Sequence, residues 1–324
     1  MHTHDVFGIG HALVDLLVEV SDDKLKKLNL NKGQFHLVSK KQAETVLKTL
    51  KNLSIKKAPG GSCANTITAV AHMGGDAVLC GKVGYDSHGD FYIDELNYSN
   101  VHTNIKKYPL STGFCITFIT PDSERTFVVY YGAATKLKKK DLAHEKLKNS
   151  RFLHIEGYAL YGESKDAVLH AISAANKYNV DVSLDLGDPG LVDNNKEFLA
   201  KLIKENVDIV FANEDEAAAL TDLPAEEALH EIGKLCKLAI VKLGKKGSIM
   251  KIRNKVIKVA PISADAVDTT GAGDMYAAGV LYAIANNLSL EEAGKIGSFA
   301  AAKIVEVIGA RLDSSLKDSV NEIL

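Results

Sequence analysis

The chain has 324 residues, 46% of them hydrophobic, and a formal net charge of −2 at pH 7. That length and apolar content allow a large buried core, in one big α/β domain or two smaller ones. The near-balanced charge supplies no global field to gather nucleic acid or an anionic membrane surface, so neither is expected as a partner. The densest basic stretch, Lys136-Leu-Lys-Lys-Lys140, is closed by Asp141 and reads as a solvated segment. The cysteines Cys63, Cys80, Cys115 and Cys236 lack CxxC spacing, and three lie in apolar runs. Reduced buried thiols fit this usage better than disulfides or a zinc site. Met1-His-Thr-His-Asp5 has neither a basic n-region nor a long apolar stretch. No run reaches the roughly 18 apolar residues of a membrane span. A soluble, cytoplasmic protein is the expectation.

In chain order, Gly8-Ile-Gly10 after Asp5-Val-Phe7 starts like a dinucleotide fingerprint, but Leu13 stands where the third glycine belongs. A Rossmann dehydrogenase is therefore rejected. The run continues to Asp15, read as the end of the first strand, where a carboxylate suits a bidentate grip on a diol. A solvated strand-end Asp is the plain alternative. Residues 13–20 and 33–39 alternate or are short. Pro59-Gly-Gly-Ser-Cys-Ala-Asn65 opens a small-residue helix that runs to Met73 and stops at Gly74-Gly75. Gly60 and Gly61 allow a ligand close to the backbone, and Asn65 can donate and accept to a sugar hydroxyl pair. An ordinary helix start capped by Ser62 reads the same way. Residues 101–108 form another short extended run. Cys115-Ile-Thr-Phe-Ile-Thr120 and Arg125-Thr-Phe-Val-Val-Tyr130 flank the turn Pro121-Asp-Ser-Glu124 and read as a β-hairpin. None of these strands interleaves with helices, so they are assigned to a small β-rich appendage.

The rest of the chain alternates. Phe152-Leu-His-Ile155, Val180-Asp-Val-Ser-Leu184, Val207-Asp-Ile-Val-Phe211 and Leu238-Ala-Ile-Val-Lys-Leu243 are apolar strands. Helical patterns over 164–178, 196–204 and 225–237 separate them. Such spacing predicts a parallel sheet covered on both faces. Ser289-Leu-Glu-Glu292 is a capping box opening a helix through Val307.

Asp268-Thr-Thr-Gly-Ala-Gly-Asp274, followed by an unbroken small-apolar helix, is the most informative stretch. Gly271, Ala272 and Gly273 let backbone N–H groups converge at the positive end of that helix, an anion site. Asp274 sits at the same turn. A resting phosphate repels a carboxylate, whereas phosphoryl transfer to a hydroxyl needs both a proton acceptor and an oxyanion cradle. A helix-capping Asp on a Gly-rich loop is the bland alternative. Every Gly-Lys pair lacks a following Ser or Thr, so there is no Walker A loop. Asn213-Glu-Asp-Glu216 follows a central strand, where ligands of parallel sheets bind, although an acidic first helical turn explains it equally.

Taken in order, Gly60–Asn65, Asn213–Glu216 and Asp268–Asp274 make the chain, from about Gly8 to Arg311, resemble the ribokinase-like (PfkB) family of sugar and nucleoside kinases, closest to its adenosine-kinase branch. The resemblance implies one α/β domain over 1–324, an αβα sandwich with a mostly parallel sheet. It also implies a β-sheet lid, here assigned to about 12–40 and 101–132. It makes Asp274 the base, with Gly271–Gly273 as anion hole and Arg125 reaching the transferred phosphate. Asn213 and Glu216 would serve Mg²⁺ through water. Lys242, Gly244, Gly247 and Thr270 would join Asn213 and Glu216 in contacting ATP. Carbonyls near Asp268–Thr270 would hold K⁺ where members bind it. Asp15, Gly60, Gly61 and Asn65 would hold a ribose, with Phe35 or Phe114 stacking on a base. The implied reaction is phosphorylation of adenosine to AMP. A ribose or keto-sugar kinase is the rival, and a non-catalytic small-molecule sensor the rival from another class. Oligomeric state is left as monomer or homodimer.

Overall fold

A computed structural model describes residues 2–122 and 124–323. Ser123, in the turn of the expected hairpin, lies outside the described residues. The apolar runs of the sequence assemble into a nine-stranded sheet. Its order is Lys255–Val259, Ser248–Ile252, Leu238–Lys242, Ile209–Asn213, Asp181–Asp185, Ser150–Glu156, His4–Ile9, Ala77–Gly84 and His102–Tyr108. The last seven are mutually parallel, and the first two form an antiparallel hairpin at one edge. Alternation along each strand splits the core. Val6, Ile209, Phe211 and Ile240 face helices Ser62–His72, Ala272–Ala285 and Leu290–Val305. Phe7, Val210, Ala212 and Val241 face Lys165–Tyr178, Lys196–Asn206, Glu214–Thr221 and Ala225–Ile232. Helices thus cover both faces, as parallel strands that are apolar on both sides require.

A second, smaller sheet, Phe35–Leu37, Arg125–Gly132, Thr112–Ile119, Leu13–Glu19 and Lys56–Gly60, takes in most of the residues expected to form a lid. In Leu13–Glu19 alternate residues Val14, Leu16 and Val18 enter the main core. Period-two alternation puts Asp15 on the other face, with Leu13. In register, Asp15 lies between Cys115 and Ala58.

Several expectations need correction. The extended run at 101–108 is the outer strand of the large sheet, not part of the lid, because it pairs along Ala77–Gly84. The N-terminal third does interleave: Ser62–His72 and Ser87–Tyr98 separate Lys56–Gly60, Ala77–Gly84 and His102–Tyr108. The first strand ends at Ile9 rather than Asp15; Gly10, His11 and Ala12 turn the chain into the lid. The strand expected at 207–211 runs two residues later, and the helix from Ala225 stops at Ile232 because Gly233 caps it. Gly61, not Ser62, is the N-cap of Ser62–His72. The capping box at Ser289 is formed, and its helix ends at Val305. Among the described residues no helix is long and apolar enough to cross a membrane.

The helix that starts at the 268–274 turn is fixed by a glycine crossing. A Cβ on Gly279 would lie 2.7 Å from Gly297 Cα in Leu290–Val305. The two backbones therefore touch, leaving no room for a side chain. Gly279→Val is expected to destabilise the protein by about 1–3 kcal/mol, the usual cost of overpacking. Urea denaturation checks this, and an unchanged midpoint would contradict the contact.

Candidate active site

Two helix N-termini meet at Asp274. Gly271 caps Ala272–Ala285 in the left-handed region (φ 79°), and a Cβ there would come within 2.9 Å of Ala310. Only glycine makes this turn without strain. The Ala272 N–H folds back to Thr269 O at 3.2 Å. Gly273 and Asp274 follow in the first turn, where N–H groups have no intrahelical carbonyl. Of the expected Gly271–Gly273 set, the Ala272 N–H is therefore engaged within the turn. From the other helix, Ser62 Oγ donates to Asp274 Oδ1 at 2.7 Å and Asn65 Nδ2 to Oδ2 at 2.8 Å. That helix enters through Gly61 (φ 94°), where a Cβ would meet His11 O at 2.1 Å.

Asn65 is buried, and Arg311 Nε donates to its Oδ1 at 2.9 Å. Arg311 Nη2 and Tyr92 Oη both donate to Gly60 O, at 3.3 and 3.0 Å. The Asp15 carboxylate lies against Gly60, where a Cβ would come within 2.4 Å of it. Asp15, Gly60, Gly61, Asn65 and Asp274 therefore form one cluster, bridged by Arg311. Arg311 sits 246 positions from Asn65 and carries no sequence signal of its own.

Burial shapes the electrostatics. It pushes the Asp274 carboxyl up to about 6, against the opposing bonds from Ser62 and Asn65. Asp15 is pushed up to about 7 by burial, moderated by Arg311. Glu156, at the end of its strand, is also pushed by burial to about 7, while accepting from the His11 and Cys63 N–H groups at 2.7 and 2.8 Å. Burial lowers the His11 imidazole to about 4, so it is neutral, against the Tyr131 ring at 4.5 Å. The Asp274 carboxyl is thus tuned upward because it is held out of bulk water.

Across the turn, Lys242 Nζ donates to Asp185 Oδ2 at 2.7 Å, and a Cβ on Gly273 would lie 3.0 Å from that nitrogen. Burial works against the ammonium, but Asp185 and Glu216 outweigh it and raise its pKa. Glu216 is buried and shifted upward by desolvation. Asn213 and Glu216 form a reciprocal capping box: Asn213 N–H and Nδ2 donate to Glu216, and Glu216 N–H donates to Asn213 Oδ1. Gly244 and Gly247 lie in the turn after strand Leu238–Lys242, both at positive φ. Asp185 was not expected, although it ends a central parallel strand, where that rule already points.

Arg125 does not reach the Asp274 turn directly. Its Nη2 pairs with Asp268 Oδ2 at 2.6 Å, and Asp268 also accepts from the Thr270 and Gly309 N–H groups. The lid is thereby tied to the loop that shapes the anion turn. Phe35, on the lid, faces Tyr158 of the body, rings 6.4 Å apart and within 21° of parallel. Phe114 instead faces the main core, against Tyr130 of its own sheet and His88 of helix Ser87–Tyr98.

A carboxylate beside free helix-end donors and a lysine can take a proton from a hydroxyl while a phosphoryl group is held. Comparison with known proteins agrees. Residues 34–317 match the model of the pfkB family carbohydrate kinases. The chain is 30% identical over 294 residues to a probable chloroplastic fructokinase-6 of Arabidopsis thaliana, covering 84% of this chain and 76% of that protein. A probable sugar kinase from Rhizobium etli superposes with a TM-score of 0.94 at 31% identity, covering all of both chains. Adenosine kinase from Sinorhizobium meliloti superposes with 0.92 at 32% identity, covering 99% of each. The chain belongs to the pfkB family of kinases, ATP-using phosphotransferases that act on hydroxyl groups of sugars or nucleosides.

Proposed function

We propose that the chain transfers the γ-phosphate of ATP to the 5′-hydroxyl of adenosine, giving AMP and ADP. The observation that carries this reading is the single cluster of Asp15, Asn65 and Asp274 beneath a lid whose Phe35 faces Tyr158. The polar cluster suits a diol and a reacting hydroxyl, and the aromatic pair suits a flat base. The similarity to an adenosine kinase at 32% identity supports it.

In the proposed mechanism Asp274 accepts the hydroxyl proton as the oxygen attacks in line. Ser62 and Asn65 hold the carboxylate in place, and Arg311 holds Asn65. The first-turn N–H groups of Gly273 and Asp274, with Lys242 beside Gly273, receive charge on the transferred phosphoryl. Gly271 and Ala272 shape that turn, and Thr270 braces it through Asp268. Gly244 and Gly247 leave an open turn that suits the nucleotide. Arg125 acts as a positioning residue, through Asp268. Asp185 and Glu216 offer carboxylate oxygens of the kind Mg²⁺ takes, and their crowding against one lysine fits a divalent ion. Bound there, Mg²⁺ would neutralise charge on the ATP phosphates. Asn213 and Glu216 are joined in the capping box, so Asn213 positions Glu216 and would meet the ion through water. The K⁺ expectation rests on the family resemblance and carries no step here. A cytoplasmic, monomeric or homodimeric enzyme remains part of the proposal.

A free-sugar kinase is the second reading, favoured by the similarity to a probable fructokinase and a probable sugar kinase. ADP release from MgATP is measured with adenosine, inosine, guanosine, ribose and fructose. Adenosine is expected to be the preferred acceptor, and turnover with fructose or ribose alone would replace the reading. Asp274→Ala is expected to lower kcat by at least about 10²-fold, the range for removing a general base. Near-normal turnover would remove Asp274 from that role. Phe35→Ala is expected to raise KM for the nucleoside about tenfold, since stacking on one base contributes about 1–3 kcal/mol. An unchanged KM would exclude Phe35 from base recognition.

A further inference from the structure

The amino ends of three adjacent parallel strands carry a cluster that phosphoryl transfer leaves unused. His4 opens strand His4–Ile9, Asp76 immediately precedes Ala77–Gly84, and His102 opens the edge strand His102–Tyr108. Pairing of Val6 with Ala77 and of Val78 with His102 brings the three side by side. His4 Nδ1 lies 2.5 Å from Asp76 Oδ1, and His102 Nε2 lies 3.3 Å from Asp76 Oδ2. One ligand atom from each residue falls within 4.8 Å of the others, and the imidazole rings are 5.4 Å apart.

We propose that His4, Asp76 and His102 form a binding site for a divalent transition-metal ion of the zinc class. Two imidazoles and one carboxylate around a single point are the donor set that such ions take, and three protein ligands leave further positions to water. Tetrahedral ligands about 2.0–2.2 Å from zinc stand roughly 3.3–3.6 Å from each other, so closing the present cluster requires only small side-chain shifts. His102 can supply them, because its side chain is 52% exposed. Asp76 is braced from behind: its N–H donates to Asp5 Oδ2 at 2.8 Å, and its carbonyl accepts the Asp5 N–H at 2.7 Å. These bonds fix the Asp76 backbone beside the start of strand His4–Ile9. Mg²⁺ and Ca²⁺ are disfavoured, since both prefer oxygen donors.

The cluster lies at the opposite end of the strands from Glu156 and Asp185. Eight residues of Ala77–Gly84 at about 3.3 Å each put roughly 25 Å between the two ends of the sheet. An ion here would clip the starts of three strands together, adding stability without entering the reaction.

The test uses the full chain stripped with a chelator and titrated with Zn²⁺ alone by calorimetry. The expected result is one Zn²⁺ per chain, bound more tightly than about 10 µM. His102→Ala, an exposed change that leaves the fold intact, and Asp76→Asn should each weaken it at least about tenfold. Co²⁺ in place of Zn²⁺ should give the visible absorption of a low-coordinate site, lost in His102→Ala. MgATP-dependent turnover of the His102→Ala protein should be unchanged. No Zn²⁺ uptake by the wild-type chain would overturn the proposal and leave a hydrogen-bonded His–Asp–His chain. Identical Zn²⁺ binding by wild type and His102→Ala would also overturn it, placing the ion elsewhere.

Discussion

The Asp274 carboxylate, shared between two helices, is the contact on which the rest of the site depends. Its own helix begins at Gly271, and its hydrogen-bond donors Ser62 and Asn65 begin the other. Holding both oxygens from a second helix fixes where the two N-termini meet. That meeting in turn requires glycine at 61 and 271, where a side chain would collide with His11 O or Ala310. The glycine crossing at Gly279 sets how closely the Asp274 helix packs on its neighbour. Backbone geometry tens of residues apart is therefore slaved to one carboxyl group.

Charge is the second constraint. Asp15, Glu156, Asp185, Glu216 and Asp274 crowd around the ends of the central strands, opposed chiefly by Lys242 and Arg311. Buried carboxylates in such numbers are costly unless they are paired, protonated or matched by a cation. In the proposed function this shortage of positive charge is what makes a divalent ion with ATP welcome. Burial, with a smaller push from Asp185, lifts Asp274 towards neutrality, closer to the proton affinity that suits a base near pH 7. The lid enters through the same electrostatics, since Arg125 reaches the buried Asp268 of the anion-turn loop.

Much of this was legible in the sequence where the determinants are local. Asp268–Asp274 reads correctly as a helix start with a carboxylate because turn, glycines and helix are contiguous. The alternation of apolar strands and helices after Phe152 gives four parallel strands of the sheet and the helices on one of its faces. The capping box at Ser289 forms for the same reason. What escaped was set by long-range packing. Whether residues 101–108 join the lid or the large sheet depends on a partner strand twenty residues away, not on their own pattern. Asp15 reads as a strand end only if the chain does not turn at Gly10–Ala12. Arg311 has no motif, and its role as the brace of Asn65 appears only when residues 246 positions apart meet. Asn213 and Glu216 were read for their oxygens, but the geometry satisfies Asn213 within the helix cap.

Asp274 is a carboxylate raised by burial and held by Ser62. The most direct test of this is the pH dependence of kcat/KM, which reports the free enzyme, in the wild-type and Ser62→Ala proteins. In the proposed mechanism Asp274 must be ionised to accept the proton, so kcat/KM should fall as pH drops, with a midpoint near the value of about 6 set by burial. Removing the Ser62 bond, which favours the ionised form, should move that midpoint up by about one pH unit, as expected for a charge-assisted hydrogen bond. A wild-type midpoint near 4, or the same midpoint in both enzymes, would contradict the claim.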